Sequence, residues 1–513
     1  MVDSLRVDML KRTVASGNAP NFGAILEQGS MVEDCVSTFP SVTPVASSEM
    51  TTGLRPDGHG ISAVNWFHRI ERRYVEYGSS FEATRALGLI RTLYDIVYDM
   101  NLAHLSADAE TVFERLGDAG VRTACTPFLI YRGRRRHEIG LDGVLRRVAL
   151  AASFRHAVWG PDELFYGELY ASRKVVCKPT LARPGTRDAY SGCVGRELAK
   201  EELYDFLLFS LPDNDHHSHR FGPQATEESI ALADAAFGEL VEASGGMERF
   251  LEGNAVLMLA DHSQTEVEKE VPLIDALGAR WRVAMPSLED GPPPEIAVSP
   301  SARAASVYVL AEGPRFASVH SGALDDLRAL EGVDLFAWLA GPDGTPLERD
   351  PAAAGLPPGA EAVVERAGME LRFRPGSAAA DLRGASWDFE GDLGTLEARV
   401  DSGELSSAGY PDALGRLWGA LNAPQAGEIV ISLAEGYECV DWGGASHAGG
   451  GSHGGLGAGD SVGPLVACGL DGFDVQSRRQ WTIADVSDLV LGHFGLAPSD
   501  NATRDADVLA ATG

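Results

Sequence analysis

The chain has 513 residues, 44% hydrophobic and 23% charged, an ordinary soluble-globular composition with room for about two to four domains. Its formal net charge of −31 excludes nonspecific binding to a nucleic-acid duplex, which needs a basic surface. No run of about 18 apolar residues marks a membrane span and no signal-peptide pattern opens the chain, so a cytoplasmic location is expected.

In chain order, Asp3 comes first, in Val2-Asp3-Ser4. Phe39-Pro40-Ser41-Val42-Thr43 follows and offers hydroxyls ahead of a helix; then comes the turn-rich Thr52-Gly53-Leu54-Arg55-Pro56-Asp57-Gly58-His59-Gly60-Ile61. Residues 109–116 read as an amphipathic helix stopped by Gly117 and Gly120, and 121–125 as a strand. Residues 132–200 read as an inserted cap, with an arginine run (Arg132, Arg134, Arg135, Arg136) expected as a solvated or ion-paired face. A strand is expected over 205–209. A helix opens at Thr226, with Ile230, Ala233, Phe237, Leu240 and Val241 on one face.

The apolar strand over 255–260 runs into Asp261-His262. Gly291-Pro292-Pro293-Pro294 marks a linker, and 296–404 reads as an inserted α+β subdomain. The core resumes with a helix over 410–421 and a strand over 428–433, and His453 lies in a glycine run. The alternation predicts an α/β fold with a mainly parallel central sheet and helices on both faces, its core formed by 1–295 and 405–513. Ligands of such sheets gather beyond the carboxyl ends of the strands. Six scattered cysteines without C-x-x-C argue against a disulfide scaffold and fit a reducing compartment.

Asp3, Asp215, His219, Asp261, His262 and His453 form separate islands of carboxylate and imidazole, the donors expected for zinc or manganese at a hydrolytic centre. The four-residue spacing of Asp215 and His219 puts both on one helix face. Asp213, His216, His217 and His447 are nearby rivals. The ordered set of islands, with the nucleophile segment and the 52–61 turn, resembles the alkaline phosphatase superfamily, and within it the type I phosphodiesterase/nucleotide pyrophosphatase family. Only Asp215, His219 and Gly222-Pro223 satisfy that family's Asp-x₃-His-x₂-Gly-Pro pattern, and His453 matches its Gly-x-His-Gly.

The resemblance implies an alkaline phosphatase-like fold and two divalent metal ions, zinc above manganese. Asp215, His219 and His453 would hold one; Asp3, Asp261, His262 and the Thr43 oxygen would hold the other. It implies Thr43 as nucleophile, a phosphothreonine intermediate, Asn65 as a hydrogen-bond donor to a phosphate oxygen, and a small-molecule phosphate ester as substrate. It also places a strand ahead of the first aspartate, so a start upstream of Met1 is expected. Pro44 stands where nucleotide-cleaving relatives of the animal type carry an aromatic residue, so diester chemistry is implied without a nucleotide. A monoesterase, a phosphonate hydrolase or a silent binding protein could be built on the same fold. Diesters are favoured over monoesters because the segment around Thr43 offers no cation but Arg55, expected to face solvent.

Overall fold

The computed structural model describes residues 1–140, 154–166, 169–177, 187–286, 291–349 and 355–498. Parts of the expected cap, 141–153, 167–168 and 178–186, therefore lie outside the described residues.

In the amino-terminal half, α1 (Val7–Ala15) and α2 (Pro20–Gln28) precede β1 (Ser30–Val36), α3 (Thr43–Thr52), the hairpin β2 (Asn65–His68) and β3 (Arg73–Glu76), α4 (Val112–Asp118) and β4 (Thr123–Cys125). A capping box, Thr111 and Glu114 bonding each other's backbone N–H groups, starts α4. Then come β5 (Glu163–Tyr166), α5 (Arg187–Lys200), β6 (Phe206–Leu208), α6 (Asp213–Phe221), α7 (Glu227–Ala243) and β7 (Val256–Leu259). β8 (Thr265–Val271), β9 (Ile296–Ser301), β10 (Ala304–Val309), α8 (Pro314–Arg328), β11 (Val333–Ala340), β12 (Glu361–Arg366) and β13 (Met369–Asp381) follow. The chain closes through α9 (Ala413–Asn422), β14 (Ile429–Leu433), β15 (Val462–Cys468) and α10 (Asp485–His493).

Helices cover both faces of the core sheets, as the alternation predicts. β7 shows why: Leu257 and Leu259 join one hydrophobic cluster, with Val45, Trp66 and Leu465, while Val256 and Met258 join another, with Phe22, Ile25 and Phe237. Strand directions are mixed rather than mainly parallel. β4 runs parallel to β5 and β6, whereas β15 lies antiparallel between β1 and β7.

Two organisational expectations change. β5 belongs to the sheet beside β4, so the segment 132–200 is partly sheet and not wholly a cap. β14, expected to resume the core, pairs with β10 on one side and β11 on the other inside a nine-stranded sheet. Its buried Ile429-Val430-Ile431 ties residues beyond 405 into the 296–404 sheet. Cys177 and Cys193 form a disulfide, and Cys35, Cys125, Cys439 and Cys468 are free and buried. Cysteine usage thus gives no support for a reducing compartment. Among the described residues no helix is long and apolar enough to cross a membrane.

Candidate metal centre and active-site cleft

Asp3 is held by a short segment that bonds to β7 on one side and to Leu211, beyond β6, on the other. Val2 N–H donates to Leu259 O (2.9 Å), Asp3 N–H to Leu211 O (3.0 Å) and Leu211 N–H to Met1 O (3.0 Å). This fixes Asp3 at the end of β7, where Asp261 and His262 leave the same strand. Asp215 and His219 lie on α6, four residues apart, as their spacing predicts. The fourth island arrives through β8, which pairs with Gly451-Ser452 and brings the following residue, His453, beside His262; their rings stack with centroids 3.8 Å apart.

All six expected ligands converge. His219 Nε2 lies 3.4 Å from Asp215 Oδ2 and 3.2 Å from His453 Nε2, and His453 Nε2 lies 3.6 Å from Asp215 Oδ1. His262 Nε2 lies 3.4 Å from Asp261 Oδ2 and 3.8 Å from Asp3 Oδ1. One ligand atom each from Asp3, Asp261 and His262 fall within 4.8 Å of one another, as do those of Asp215, His262 and His453, so His262 stands between the two groups.

The rings are oriented through their other nitrogen. His219 Nδ1 meets Gly451 O (2.8 Å), His453 Nδ1 meets Ser41 O (2.8 Å) and His262 Nδ1 meets Ser263 O (3.2 Å). A carbonyl only accepts, so each ring carries its proton on Nδ1 and presents an Nε2 lone pair inward. Burial lowers the pKa of both His219 and His453, which favours the neutral rings.

The carboxyl groups of Asp3, Asp215 and Asp261 crowd together, those of Asp3 and Asp261 buried. Burial, then the charges of Asp261 and Asp215, push the Asp3 carboxyl well above the usual range. Asp3 Oδ1 and Asp261 Oδ2 are buried without a hydrogen-bond partner among the described residues. Burial opposes the Asp215 charge too, while the Ser4 hydroxyl, donating to Oδ1 at 2.7 Å, favours it. Such orphaned oxygens and inward lone pairs are the donor set a dication needs.

Thr43 is the first residue of α3, and its Oγ1 lies 3.2 Å from His262 Nε2. The preceding Val42 is extended, and a helix start leaves N–H groups without intrahelical partners, a setting suited to a phosphate anion. Of the neighbouring hydroxyls, Ser41 Oγ donates to Gly455 O and Ser48 Oγ to Pro44 O. Ser47, one turn beyond Thr43, lines the same cleft, is fully buried, and its Oγ has no partner among the described residues. His447, the rival ligand, is stacked on His219 with centroids 3.9 Å apart and bonded to Glu438, leaving the cluster to His453.

Asn65 is not where a phosphate-binding donor should be. Its Nδ2 donates to Glu76 Oε2 (2.9 Å) and Val75 O (3.2 Å), and it is 2% exposed. Val64 lines the cleft instead, because successive residues entering β2 turn to opposite sides.

Arg55 does not face solvent. It pairs with Asp412 (2.8 Å) and packs on Gly415 and Gly419 of α9. None of the arginine run lines the cleft, and three of its members are in ion pairs: Arg132 with Glu114, Arg134 with Glu110, Glu114 and Asp118, and Arg136 with Glu138. The cation among the described cleft residues is Arg187, missed in the sequence; its Nε donates to Asp213 (3.0 Å) and Nη2 to Pro212 O (3.1 Å). Also missed were Ser4 and Gln264, which donate to Asp215 Oδ1 at 2.7 and 2.6 Å and fix that carboxylate.

No curated protein matches the sequence. Among solved structures, phosphonoacetate hydrolase from Sinorhizobium meliloti 1021 in complex with phosphonoformate is 15% identical with a TM-score of 0.50, covering 96% of this chain and 94% of that one. Murine ectonucleotide pyrophosphatase/phosphodiesterase 5 is 13% identical with a TM-score of 0.53 (97% and 94% covered), and the human protein 12% identical with 0.54 (99% and 98%). At these identities the likeness shows a shared alkaline phosphatase-like fold. Residues 1–315 match the profile of the type I phosphodiesterase/nucleotide pyrophosphatase family, and the chain belongs to that family.

Proposed function

We propose that the protein hydrolyses phosphodiesters with two bound dications and a phosphothreonine intermediate on Thr43. The observation carrying this reading is the pairing of two ligand groups with a helix-start hydroxyl 3.2 Å from His262 Nε2. Ligand atoms about 2.0–2.2 Å from a tetrahedral zinc stand about 3.3–3.6 Å apart, close to the separations found here. Asp215, His219 and His453 would hold one ion; Asp3, Asp261 and His262 would hold the other beside Thr43. Bound there, the ions supply positive charge that lowers the pKa of the hydroxyl and takes up charge on the departing oxygen.

Thr43 Oγ1 then attacks phosphorus, and the bond to the leaving alcohol breaks as the new ester forms. Water cleaves the phosphothreonine, returning the Thr43 hydroxyl and a phosphomonoester. With Asn65 committed to Glu76, the donors left for a non-bridging phosphoryl oxygen are the Thr43 N–H and the unpartnered Ser47 hydroxyl.

Arg187 is tied to Asp213, so among the described residues the cleft offers no uncompensated cation for the second charge of a monoester. Matched aryl diester, monoester and phosphonate substrates test the reading. The diester should have the highest kcat/KM; a monoester or phosphonate advantage above tenfold would reassign the reaction to that class.

A further inference from the structure

The cleft that holds Thr43 is much larger than a phosphoryl group. Its volume is about 770 Å³, within the range of pockets that enclose a whole organic ligand. The wall running away from the ligand groups is apolar: Val64, Ile96, Val97, Phe128 and Leu129 line it, with Phe128 4% and Val97 6% exposed. Toward the mouth the wall stays apolar but opens to water. Ile90 and Leu93, one turn apart on one helix, line the same cleft and are 51% and 37% exposed. Leu89 beside them is 46% exposed.

Exposed apolar side chains continuous with a buried apolar wall mark a surface that something covers. A charged or sugar-like arm finds poor complement on that wall. Among the described residues the cleft's cation, Arg187, is paired, and its other charged side chains are Asp3 and Asp215 of the ligand groups, Glu438 and Asp441.

We infer that the substrate is a phosphodiester with one aliphatic arm, which lies along the Val64–Phe128 wall and leaves over Ile90 and Leu93. This rests on the phosphodiesterase reading above and names the substrate class of that site. The arm is held by removal of apolar surface from water, so affinity scales with its length until the wall is covered. The retained product is an alkyl phosphate or the alcohol, according to which ester bond is in line with Thr43.

The test uses the metal-loaded full chain with methyl, butyl and octyl 4-nitrophenyl phosphates below their micelle concentrations. Each methylene buried contributes up to about fourfold, so kcat/KM should rise by tenfold or more from methyl to butyl and rise again to octyl. In Ile90→Asp and Leu93→Asp, both at exposed positions, the octyl-to-methyl ratio should fall at least fivefold. Equal kcat/KM for the three esters, or an octyl-to-methyl ratio untouched by both substitutions, overturns the aliphatic arm and leaves the phosphodiesterase reading standing. Failure to hydrolyse any of the three by a metal-loaded protein overturns both.

Discussion

Replacing Ser47 by alanine should move activity and stability in opposite directions. The Ser47 hydroxyl is fully buried on the cleft side of α3 and has no partner among the described residues. A buried polar group left unpaired costs about 1–3 kcal/mol, and alanine also has the higher helix propensity. Ser47→Ala should therefore stabilise the unliganded protein by about 1 kcal/mol, a rise in Tm of about 1–3 °C. In the proposed mechanism the same hydroxyl is one of two donors to a phosphoryl oxygen, and loss of such a donor costs about 10²–10³ in kcat where it has been measured. A neutral hydroxyl beside metal charges sits at the lower end, about 10²-fold. The assay is steady-state hydrolysis of a 4-nitrophenyl diester alongside thermal unfolding. A substrate with sulfur at the non-bridging position the hydroxyl serves adds a signature, since sulfur accepts hydrogen bonds poorly and the sulfur penalty should shrink in the variant. A Ser47→Ala protein with kcat within twofold of wild type would refute the donor role. One that loses activity together with several degrees of Tm would show Ser47 to be structural.

Thr43→Ala should lower kcat by about 10³-fold while metal content holds, because Asp3, Asp261 and His262 are untouched; turnover within tenfold of wild type would move the nucleophile elsewhere. Elemental analysis should find close to two transition-metal ions per chain, and a strong chelator should abolish activity, with zinc restoring it. Activity indifferent to chelation would sink the metal reading. Gln264→Ala removes a 2.6 Å donor from Asp215 and should weaken one of the two ions about 10–100-fold, read by competition with a chromophoric chelator; unaltered affinity for both would mean that Asp215 is held without it. Burial raises the Glu49 carboxyl from 4.5 to about 7, so its stabilising contribution is present below pH 4.5 and is lost as pH rises through 7. Glu49→Gln should gain about 3 kcal/mol relative to wild type between pH 4.5 and 7.5 in denaturant titrations, and a pH-independent difference would contradict that shift.

The cluster of candidate ligands was legible because its residues are tied to local pattern. An apolar strand ending in Asp261-His262 delivers both residues to a sheet edge, and the Asp215–His219 spacing survives as one face of α6. Asn65 and Val64 show where such reading stops. A one-residue difference at the start of β2 decides which of them meets the cleft, and that register is set by the pairing of Asn65 with Glu76 across the hairpin. Ser4, Gln264 and Arg187 carry no motif; only the folded chain brings them to Asp215 or the cleft wall. The 296–404 subdomain failed as an independent unit for a similar reason, since nothing local to β14 says that it inserts between β10 and β11.

The glycine run around His453 couples Thr43 to the candidate ligands. A Cβ at Gly450 would collide with the His219 carbonyl, and one at Gly451 would stand 2.6 Å from Gln264 Oε1, so the strip passes between α6 and β8 only as bare backbone. Gly454 takes a φ of 112°, a left-handed conformation that favours glycine, and its N–H donates to Ser41 Oγ (3.1 Å). Ser41 Oγ in turn donates to Gly455 O, and Ser41 O accepts from His453 Nδ1. Two residues after Ser41 the chain reaches Thr43. The segment that positions Thr43 is thus the one that fixes the His453 imidazole, and the backbone of the glycine strip also accepts from His219 Nδ1. A shift of that strip would move His453, His219 and Thr43 together. Orientation of the Thr43 oxygen relative to the Asp and His cluster therefore resides in backbone contacts that glycine permits, and the proposed chemistry would depend on them.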